Sequence, residues 1–221
     1  MILKITLKNT ELLGIYMNLT NEYLLIPDKN NIREKIIFKN IYRKTFNIIN
    51  TTIGGSSLIG CLTIGNKNGL LISNLLTRKE FLYIKKNISR NINIIPLQLS
   101  LNNPSVILSV NDNILLTNIN HKKSTIQIFN SMLKTKCLIL NNLNFTINKF
   151  NFPMNNFYAI TSNINEKILQ ILSNLIQIPI FCIKCYDINK FIGGNLVLND
   201  TVIILGKTVK LNWFENIKYI L

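Results

Sequence analysis

Acidic residues, histidine and cysteine are scarce in this sequence. Its 221 residues include 10 Asp and Glu, four Cys and one His. Four cysteines without a secretory leader do not indicate a disulfide framework. Cys182 and Cys185 have CxxC spacing, but no second Cys pair or neighbouring His completes a set of four metal ligands. On a strand these two thiols would point to opposite faces, so a structural role is favoured and no metal or cofactor is expected.

Long apolar runs are absent as well. No stretch approaches the ~18 consecutive apolar residues of a transmembrane helix. The segment from Ile2 to Leu7 alternates like a strand, and it lacks the apolar run and the cleavage site of a signal peptide. We therefore expect a protein of the cytosol or nucleus.

The shortage of carboxylates leaves a formal net charge of +15 at pH 7. A basic protein is a candidate for nucleic-acid binding. However, the 40 Ile, 36 Asn and 21 Lys make up 97 of the 221 residues, a bias that AT-rich codons produce, and no run of five like charges occurs. Two interpretations stay open: a solvated basic surface that reflects composition, and a surface used in part against phosphate.

What the sequence does contain is a repeat. Residues 110–116, VNDNILL, recur as residues 198–204, LNDTVII. Similar turns, with spacings of 45, 45, 44 and 44 residues, centre on Asn21, Asn66, Asn111, Asn155 and Asn199. A fixed period of this size indicates an array, a solenoid or a propeller. We interpret residues 1–221 as a single domain of five repeats of about 45 residues.

The second repeat indicates its secondary structure most clearly. An apolar strand is predicted from Leu58 to Ile64, and an Asn-Gly turn leads into a second strand at residues 70–72. Thr77 and Glu80 form a capping-box pattern at the start of a helix. Its apolar face is Phe81, Ile84 and Ile88, and a further strand follows at residues 92–99. The predicted unit is therefore strand, turn, strand, helix, strand.

The other repeats agree with this unit to different degrees. Further helical stripes are predicted around Ile32, Ile36 and Ile37, around Ile126, Phe129 and Leu133, around Ile168, Ile171, Leu172 and Leu175, and around Leu211, Phe214 and Ile217. The hairpin around Asn155 is the weakest, and the fifth repeat lacks its last strand. The chain begins with a surplus strand, from Ile2 to Leu7.

We predict that the surplus strand completes the fifth unit. A ring of five α/β blades closed in this way has no open sheet edge. An open solenoid would need polar capping repeats, which neither end resembles. All-β blades of similar period are the alternative, but the helical stripes disagree with them.

Residues 52–71, TIGGSSLIGCLTIGNKNGLL, resemble the second repeat of the translation initiation factor six family of eukaryotes and archaea. The likeness continues through the turns at residues 109–112 and 193–200 and covers essentially the whole chain. Two features depart from the family: residues 156–159, NFYA, replace a Gly-Gly-Leu pattern, and this chain is basic where family members are commonly acidic.

The resemblance implies a five-fold pseudo-symmetric, pentein-like α/β propeller closed by the N-terminal strand. It also implies a protein that binds the intersubunit face of the large ribosomal subunit, prevents premature joining of the small subunit and takes part in large-subunit biogenesis. The implied partners are universal large-subunit protein fourteen, near the sarcin–ricin loop, and a release GTPase with its cofactor. A monomer without membrane contact, cytoplasmic with a nuclear or nucleolar pool, is expected.

Equivalent positions of a ring of repeats lie on the same rim, so one rim presents segments from several blades. The resemblance implies that the segments at the start of each hairpin contact the ribosome. The candidate binding residues are Gly14, Ile15, Ser57, Gly60, Cys61, Ser105, Val106, Phe191 and Gly193.

Two other functions have to be weighed against this one. The same fold serves enzymes that modify guanidino groups, which need a Cys nucleophile, a His and carboxylates. His121 is the only His, beside Lys122 and Lys123 in a setting predicted to be exposed, and Asp112 and Asp200 occupy equivalent turns, so no catalytic residue is predicted. A general rRNA-binding protein is the other alternative, although aromatic residues interleaved with a basic groove are not evident.

Overall fold

Five small sheets organise the protein. The structure, a computed structural model, describes residues 1–28, 47–97, 103–141, 145–162, 164–183 and 191–209. Four of its sheets have three strands, one has two, and no described sheet closes on itself. In unit order the strands are Asn18–Leu19, Tyr23–Pro27 and Asn47–Thr51; Thr63–Gly65, Gly69–Ser73 and Asn93–Leu97; Leu108–Val110, Ile114–Thr117 and Lys136–Ile139; Ala159–Thr161 and Ile180–Cys182; and Leu196–Leu198, Ile203–Gly206 and Ile2–Ile5.

The described helices are of two kinds. Three are long and lie between the second and third strands of their units: Arg78–Asn87, Lys123–Leu133 and Glu166–Ile176. Four span four residues each and precede the first strand of their units: Leu13–Tyr16, Ile59–Leu62, Pro104–Ile107 and Ile192–Asn195. The predicted helices around residues 32–37 and 211–217 lie outside the described residues.

The second and third units confirm the predicted order of elements. In each, the first two strands are antiparallel and the third is parallel to the second. One prediction was wrong: residues 58–64 are not one strand, because the helix Ile59–Leu62 precedes the strand Thr63–Gly65. Short apolar runs do not distinguish the two structures by periodicity, and here a tight turn brings Gly60 against the first unit.

The first strand pairs with the last described sheet, as predicted. Ile2–Ile5 runs parallel to Ile203–Gly206, with Ile2 opposite Ile203. The ammonium group of Met1 donates to the carbonyl oxygen of Thr201 at 2.8 Å. The fifth unit therefore takes its third strand from the opposite end of the chain. This strand ends at Ile5, short of the predicted Leu7, which instead forms a bridge with Thr10.

The fourth unit departs from the pattern where its sequence does. Its sheet has two strands, and its first hairpin is reduced to a single bridge between Met154 and Ala159. Asn148 forms a turn where the other units have a short helix, because its Oδ1 accepts the N–H groups of Phe150 and Asn151, both at 2.9 Å.

The hydrophobic core consists of five clusters, and each lies between consecutive units. The middle strand of the first unit illustrates how: Leu24 and Ile26 pack with the fifth unit, whereas Tyr23 and Leu25 pack with the second. The remaining clusters join the second unit to the third, the third to the fourth, and the fourth to the fifth. Strands buried on both faces explain the continuous apolar runs of the sequence. No helix within the described ranges is long and apolar enough to cross a membrane.

Glu80 ties the longest helix of the second unit to a turn. The predicted capping box is present, with Thr77 N–H donating to Glu80 Oε2 at 2.9 Å. The same carboxylate accepts from Thr52 Oγ1 at 2.6 Å and from the N–H of Gly55 at 2.9 Å. Burial alone would raise the pKa of Glu80, but the hydrogen bonds from Thr52, Gly55 and Thr77 together lower it to about 2.

The variant Glu80→Gln should lose stability at neutral pH. We expect a decrease of about 1–2 kcal/mol in the free energy of unfolding, since the amide cannot accept all these bonds. The folded pKa of about 2 lies below the ordinary 4.5, so this stabilisation is present above pH 4.5 and is lost as the pH falls towards 2. Urea unfolding at several pH values measures it. Glu166→Gln, at an exposed first-turn carboxylate, is the control, and a Glu80→Gln deficit that persists undiminished at about pH 2.5 would contradict the assignment.

Candidate functional site

Four asparagines connect the turns of successive units. The Oδ1 of Asn66, Asn111, Asn155 and Asn199 accepts the N–H groups two and three residues later. The Nδ2 of each donates to a carbonyl oxygen of the next unit at 2.9–3.1 Å. The recurrence of Asn follows from this double role, because an amide carries the acceptor for its own turn and the donor for its neighbour on two separate atoms.

The first repeat is offset by one residue from its predicted register. Thr20, rather than Asn21, forms the turn: its Oγ1 accepts from the N–H of Glu22 at 3.2 Å and of Tyr23 at 3.0 Å. Its carbonyl oxygen accepts from Asn199 Nδ2 at 2.9 Å. The first spacing, from Thr20 to Asn66, is therefore 46 rather than 45 residues. A hydroxyl replaces the amide oxygen at this position, so a search for recurring Asn residues selects the wrong neighbour.

Asn21 belongs instead to a polar cluster formed with Asp112, Asn156 and Asp200. The Nδ2 of Asn21 lies 2.8 Å from one carboxylate oxygen of each aspartate, and the Nδ2 of Asn156 lies 2.7 Å from the same two oxygens. Lys67 adds an ion pair at 3.7 Å to Asp112. The two aspartates do occupy equivalent turns, as predicted, and their bonds cross between units. The carboxylate oxygens accept hydrogen bonds from the protein itself, so the cluster has a structural role in linking the units.

The short helices, together with the turn at Asn148 in the fourth unit, bring a second set of equivalent residues together on the side opposite the Asn turns. We call Gly14, Gly60, Ser105, Lys149 and Gly193 the central cycle. A β-carbon on Gly14 would lie 1.8 Å from the carbonyl oxygen of Gly193, one on Gly60 1.9 Å from that of Gly14, and one on Gly193 2.1 Å from that of Lys149. Hydrogen bonds complete the cycle: Lys149 N–H donates to Ser105 at 3.2 Å, and Ser105 Oγ donates to the carbonyl of Gly60 at 2.6 Å.

Lys149 is the exceptional member of this cycle. Its Nζ donates to the carbonyl oxygens of Met17 at 2.9 Å and Gly60 at 3.1 Å, and so links the fourth unit to the first and second. Burial lowers the pKa of its ammonium group to about 7, with an opposing contribution from Cys61. Burial also raises the pKa of the Cys61 thiol, which makes it a poor nucleophile at neutral pH despite the nearby cation.

The nine candidate binding residues fall into three groups. Gly14, Gly60, Ser105 and Gly193 are buried in the central cycle, whereas Ile15, Ser57 and Cys61 are half-buried. Val106 and Phe191 are exposed, at 43% and 54%. The structure thus brings the candidates together around the central cycle, with few of their side chains accessible. Their contact with a ribosome stays a prediction.

Two further apolar side chains are exposed beside the central cycle. Leu12 and Leu58 each lie two residues before a cycle glycine, as Phe191 does, and are 41% and 40% exposed. Leu12 and Phe191 both approach Gly194, since a β-carbon there would lie 3.7 Å from Phe191 Cβ and 3.9 Å from Leu12 Cδ2. We call Leu12, Leu58, Val106 and Phe191 the apolar rim. The candidate binding residues predicted from the sequence did not include these two leucines. Their common position, two residues before Gly14 and Gly60, could have identified them.

Of the residues weighed for catalysis, Asp112 and Asp200 meet in the polar cluster, and His121 is not among the described hydrogen-bond partners of that cluster. His121 is partly buried rather than exposed: its ring packs edge-on against Phe129 at 5.4 Å and lies 3.3 Å from Thr117 Oγ1, and burial lowers its pKa. Among the described residues, no group of three His, Cys, Asp or Glu side chains is placed to hold a metal ion. Cys182 lies on the predicted strand, and Cys185 is outside the described residues.

Repeated units that are linked to one another by buried polar groups and that carry exposed apolar side chains have the features of a binding protein. The eIF-6 family matches residues 2–212, and the chain belongs to that family. The resemblance seen in residues 52–71 is therefore confirmed.

Individual relatives are similar over most of their length. The chain is 24% identical over 202 residues to eukaryotic translation initiation factor 6 of Babesia bovis, which covers 90% of this chain and 80% of the relative. It is 23% identical over 214 residues to the factor of the same name in Drosophila melanogaster, covering 93% and 84%. With eukaryotic translation initiation factor 6-1 of Arabidopsis thaliana the identity is 26% over 212 residues, covering 93% and 85%.

Proposed function

We propose that the protein acts in translation initiation by binding the intersubunit face of the large ribosomal subunit, where it prevents premature joining of the small subunit. A part in large-subunit biogenesis belongs to the same proposal. Relatives named eukaryotic translation initiation factor 6 support the role in initiation. The observation that carries the binding site is the apolar rim, because exposed apolar side chains grouped on one surface mark interaction sites.

The proposed architecture is a single domain over residues 1–221, a five-fold pseudo-symmetric α/β propeller closed by the N-terminal strand. Three observations support it: the core clusters lie between consecutive units, the first strand pairs with the fifth unit, and the central cycle returns from Gly193 to Gly14. In such a ring the four rim residues lie at one end of the axis, and the buried glycines allow their segments to approach closely.

The proposed partner surface is mainly protein. The four residues of the apolar rim carry no charge, so they suit an apolar protein surface better than phosphate. Universal large-subunit protein fourteen, in the vicinity of the sarcin–ricin loop, is the partner that the family suggests. Release by a GTPase with its cofactor, a monomeric state, and a cytoplasmic location with a nuclear or nucleolar pool complete the proposal.

The double variant Leu58→Asp, Phe191→Asp tests the rim. We expect at least about tenfold weaker co-sedimentation with isolated large subunits, because buried charge replaces two apolar contacts. Leu82→Asp is the matched control, since Leu82 is 55% exposed on the helix Arg78–Asn87, away from the rim. The wild-type protein, the double variant and Leu82→Asp should unfold at similar temperatures. Undiminished binding by a folded double variant would remove the apolar rim from the site.

Salt dependence separates the proposal from general rRNA binding. If Lys contacts to phosphate supplied most of the affinity, log K would fall with log salt by about 0.9 for each phosphate neutralised on duplex-like RNA. We expect a shallow slope, equivalent to about one to three phosphates, and strong preference for the large over the small subunit. A steep slope with similar binding to both subunits would favour the alternative and give the basic surface a function.

A further inference from the structure

A cavity lies inside the protein between the two sets of equivalent residues. It is lined from all five units, with Asn18, Ile64, Ser109, Met154 and Val197 as one residue from each, and by Lys149. Its free volume is about 40 Å³. The space continues towards the polar cluster, because Leu19, Gly65, Val110, Met154 and Leu198 line both this cavity and the one at Asp112 and Asp200.

The cavity has donors without matching acceptors. Asn18 is only 2% exposed, and its Nδ2 has no hydrogen-bond partner within the part of the chain that the structure describes. Lys149 uses two of its three ammonium protons on the carbonyl oxygens of Met17 and Gly60. Ser109 Oγ donates to the carbonyl of Phe152 at 2.5 Å. Asn18 directly follows Met17 in the chain, and both Asn18 and Lys149 line this cavity.

The charge at the wall of this cavity is positive, without a negative partner in the part of the wall that the structure describes. Among the described residues that line it, Lys149 is the only charged one, and the others except Asn18 and Ser109 are apolar or glycine. Asp112 and Asp200, which line the adjoining cavity, are engaged in the polar cluster. A buried cation without a counter-charge is costly, and the whole chain, at +15, attracts anions.

We propose that the cavity binds one small monovalent anion, of the size and charge of chloride, between Lys149 Nζ and Asn18 Nδ2. The anion would accept the free amide proton of Asn18 and the third ammonium proton of Lys149. It would also neutralise the charge of Lys149, which a bound water molecule cannot do. This proposal does not depend on the proposed ribosomal function, since it concerns the interior of the protein.

Thermal unfolding of the wild-type protein tests the site directly. Sodium chloride should raise the unfolding temperature above that in sodium gluconate of equal ionic strength, at about pH 6, and the stabilisation should grow with the logarithm of the chloride concentration once a single site is filled. Sodium bromide should act like chloride, whereas gluconate is too large for the cavity. Equal unfolding temperatures in chloride and gluconate across the whole concentration range would overturn the proposal.

Four variants test whether the chloride effect on the unfolding temperature arises at this site. Asn18→Asp places a carboxylate beside Lys149 and should abolish the chloride effect while retaining stability. Lys149→Met should abolish it as well, and the exposed Lys79→Met should leave it intact. Cys61 is the other titratable group that acts on Lys149, and Cys61→Ser should also retain the effect. A chloride effect that survives in Asn18→Asp or Lys149→Met would overturn the assignment.

A crystallographic measurement covers the case in which both interior variants fail to fold. Crystals of the wild-type protein grown in sodium bromide should show an anomalous peak between Lys149 Nζ and Asn18 Nδ2. A cavity that contains only water, or a bromide bound elsewhere but not there, would refute the site.

Discussion

Gly60→Ala is expected to unfold the protein or to lower its free energy of unfolding by at least about 4 kcal/mol. The new β-carbon would lie 1.9 Å from the carbonyl oxygen of Gly14 and 2.5 Å from that of Met17. Both obstacles are backbone atoms of another unit, so no side chain can rotate away. Relief requires separating the first and second units, which share the core cluster of Tyr23 and Ile59. Urea unfolding followed by circular dichroism measures the loss.

Gly55→Ala is the matched control for this prediction. Gly55 is exposed with φ of +74°, and a β-carbon there would meet nothing within 4 Å. Only the left-handed backbone opposes this substitution, so we expect a cost of about 1 kcal/mol. A Gly60→Ala protein as stable as Gly55→Ala would mean that Gly14 and Gly60 do not meet as the structure has them.

Lys149→Met is expected to change how stability depends on pH. The folded pKa of about 7 lies below the ordinary value of 10.5, so the unfolded chain binds more protons between these values. The stability of the wild-type protein relative to Lys149→Met should therefore rise by about 1.4 kcal/mol for each pH unit in this window, or about 2–3 kcal/mol between pH 7 and pH 9. Below about pH 7 the difference should become constant, because Lys149 is then protonated in both states.

Paired urea titrations in gluconate buffer measure this difference without competing chloride. The other lysines contribute equally to both proteins and cancel. Lys79→Met, at an exposed position, should show a difference from wild type that is flat across the same range. If the Lys149→Met difference is also flat, the ammonium group is solvated rather than buried, and the cavity would lose its cation.

Local sequence signals predicted the parts of the fold that depend on neighbouring residues. The capping box of Thr77 and Glu80 and the helical stripe of Phe129 and Leu133 need only nearby partners, and both are confirmed. The pairing of the surplus first strand was predicted correctly as well. The fifth unit lacked a strand, and placing the first strand there avoids an open sheet edge.

The errors arise where contacts between units decide the local structure. Thr20 replaces Asn through a hydroxyl acceptor, which a search by residue type does not detect. Residues 58–64 change from helix to strand because Gly60 must meet Gly14, a residue 46 positions away. In a lysine-rich sequence, nothing distinguishes Lys149 from a surface lysine. Its interior position is recognisable only from its equivalence to the other members of the central cycle.

The pairing of the first strand with the fifth unit constrains how the chain is made. Met1 is synthesised 200 residues before its partner Thr201. At ~5–20 residues per second, synthesis leaves this strand without its partner for on the order of ten to forty seconds. During that time the apolar surface that packs with the fifth unit is open to other chains, and one-by-one completion of the units cannot cover it. The pairing of Ile2–Ile5 with Ile203–Gly206 therefore joins residues that are made early to residues that are made late. A nascent chain that stalls between them has an unprotected edge, and a chaperone has a defined interval in which to act.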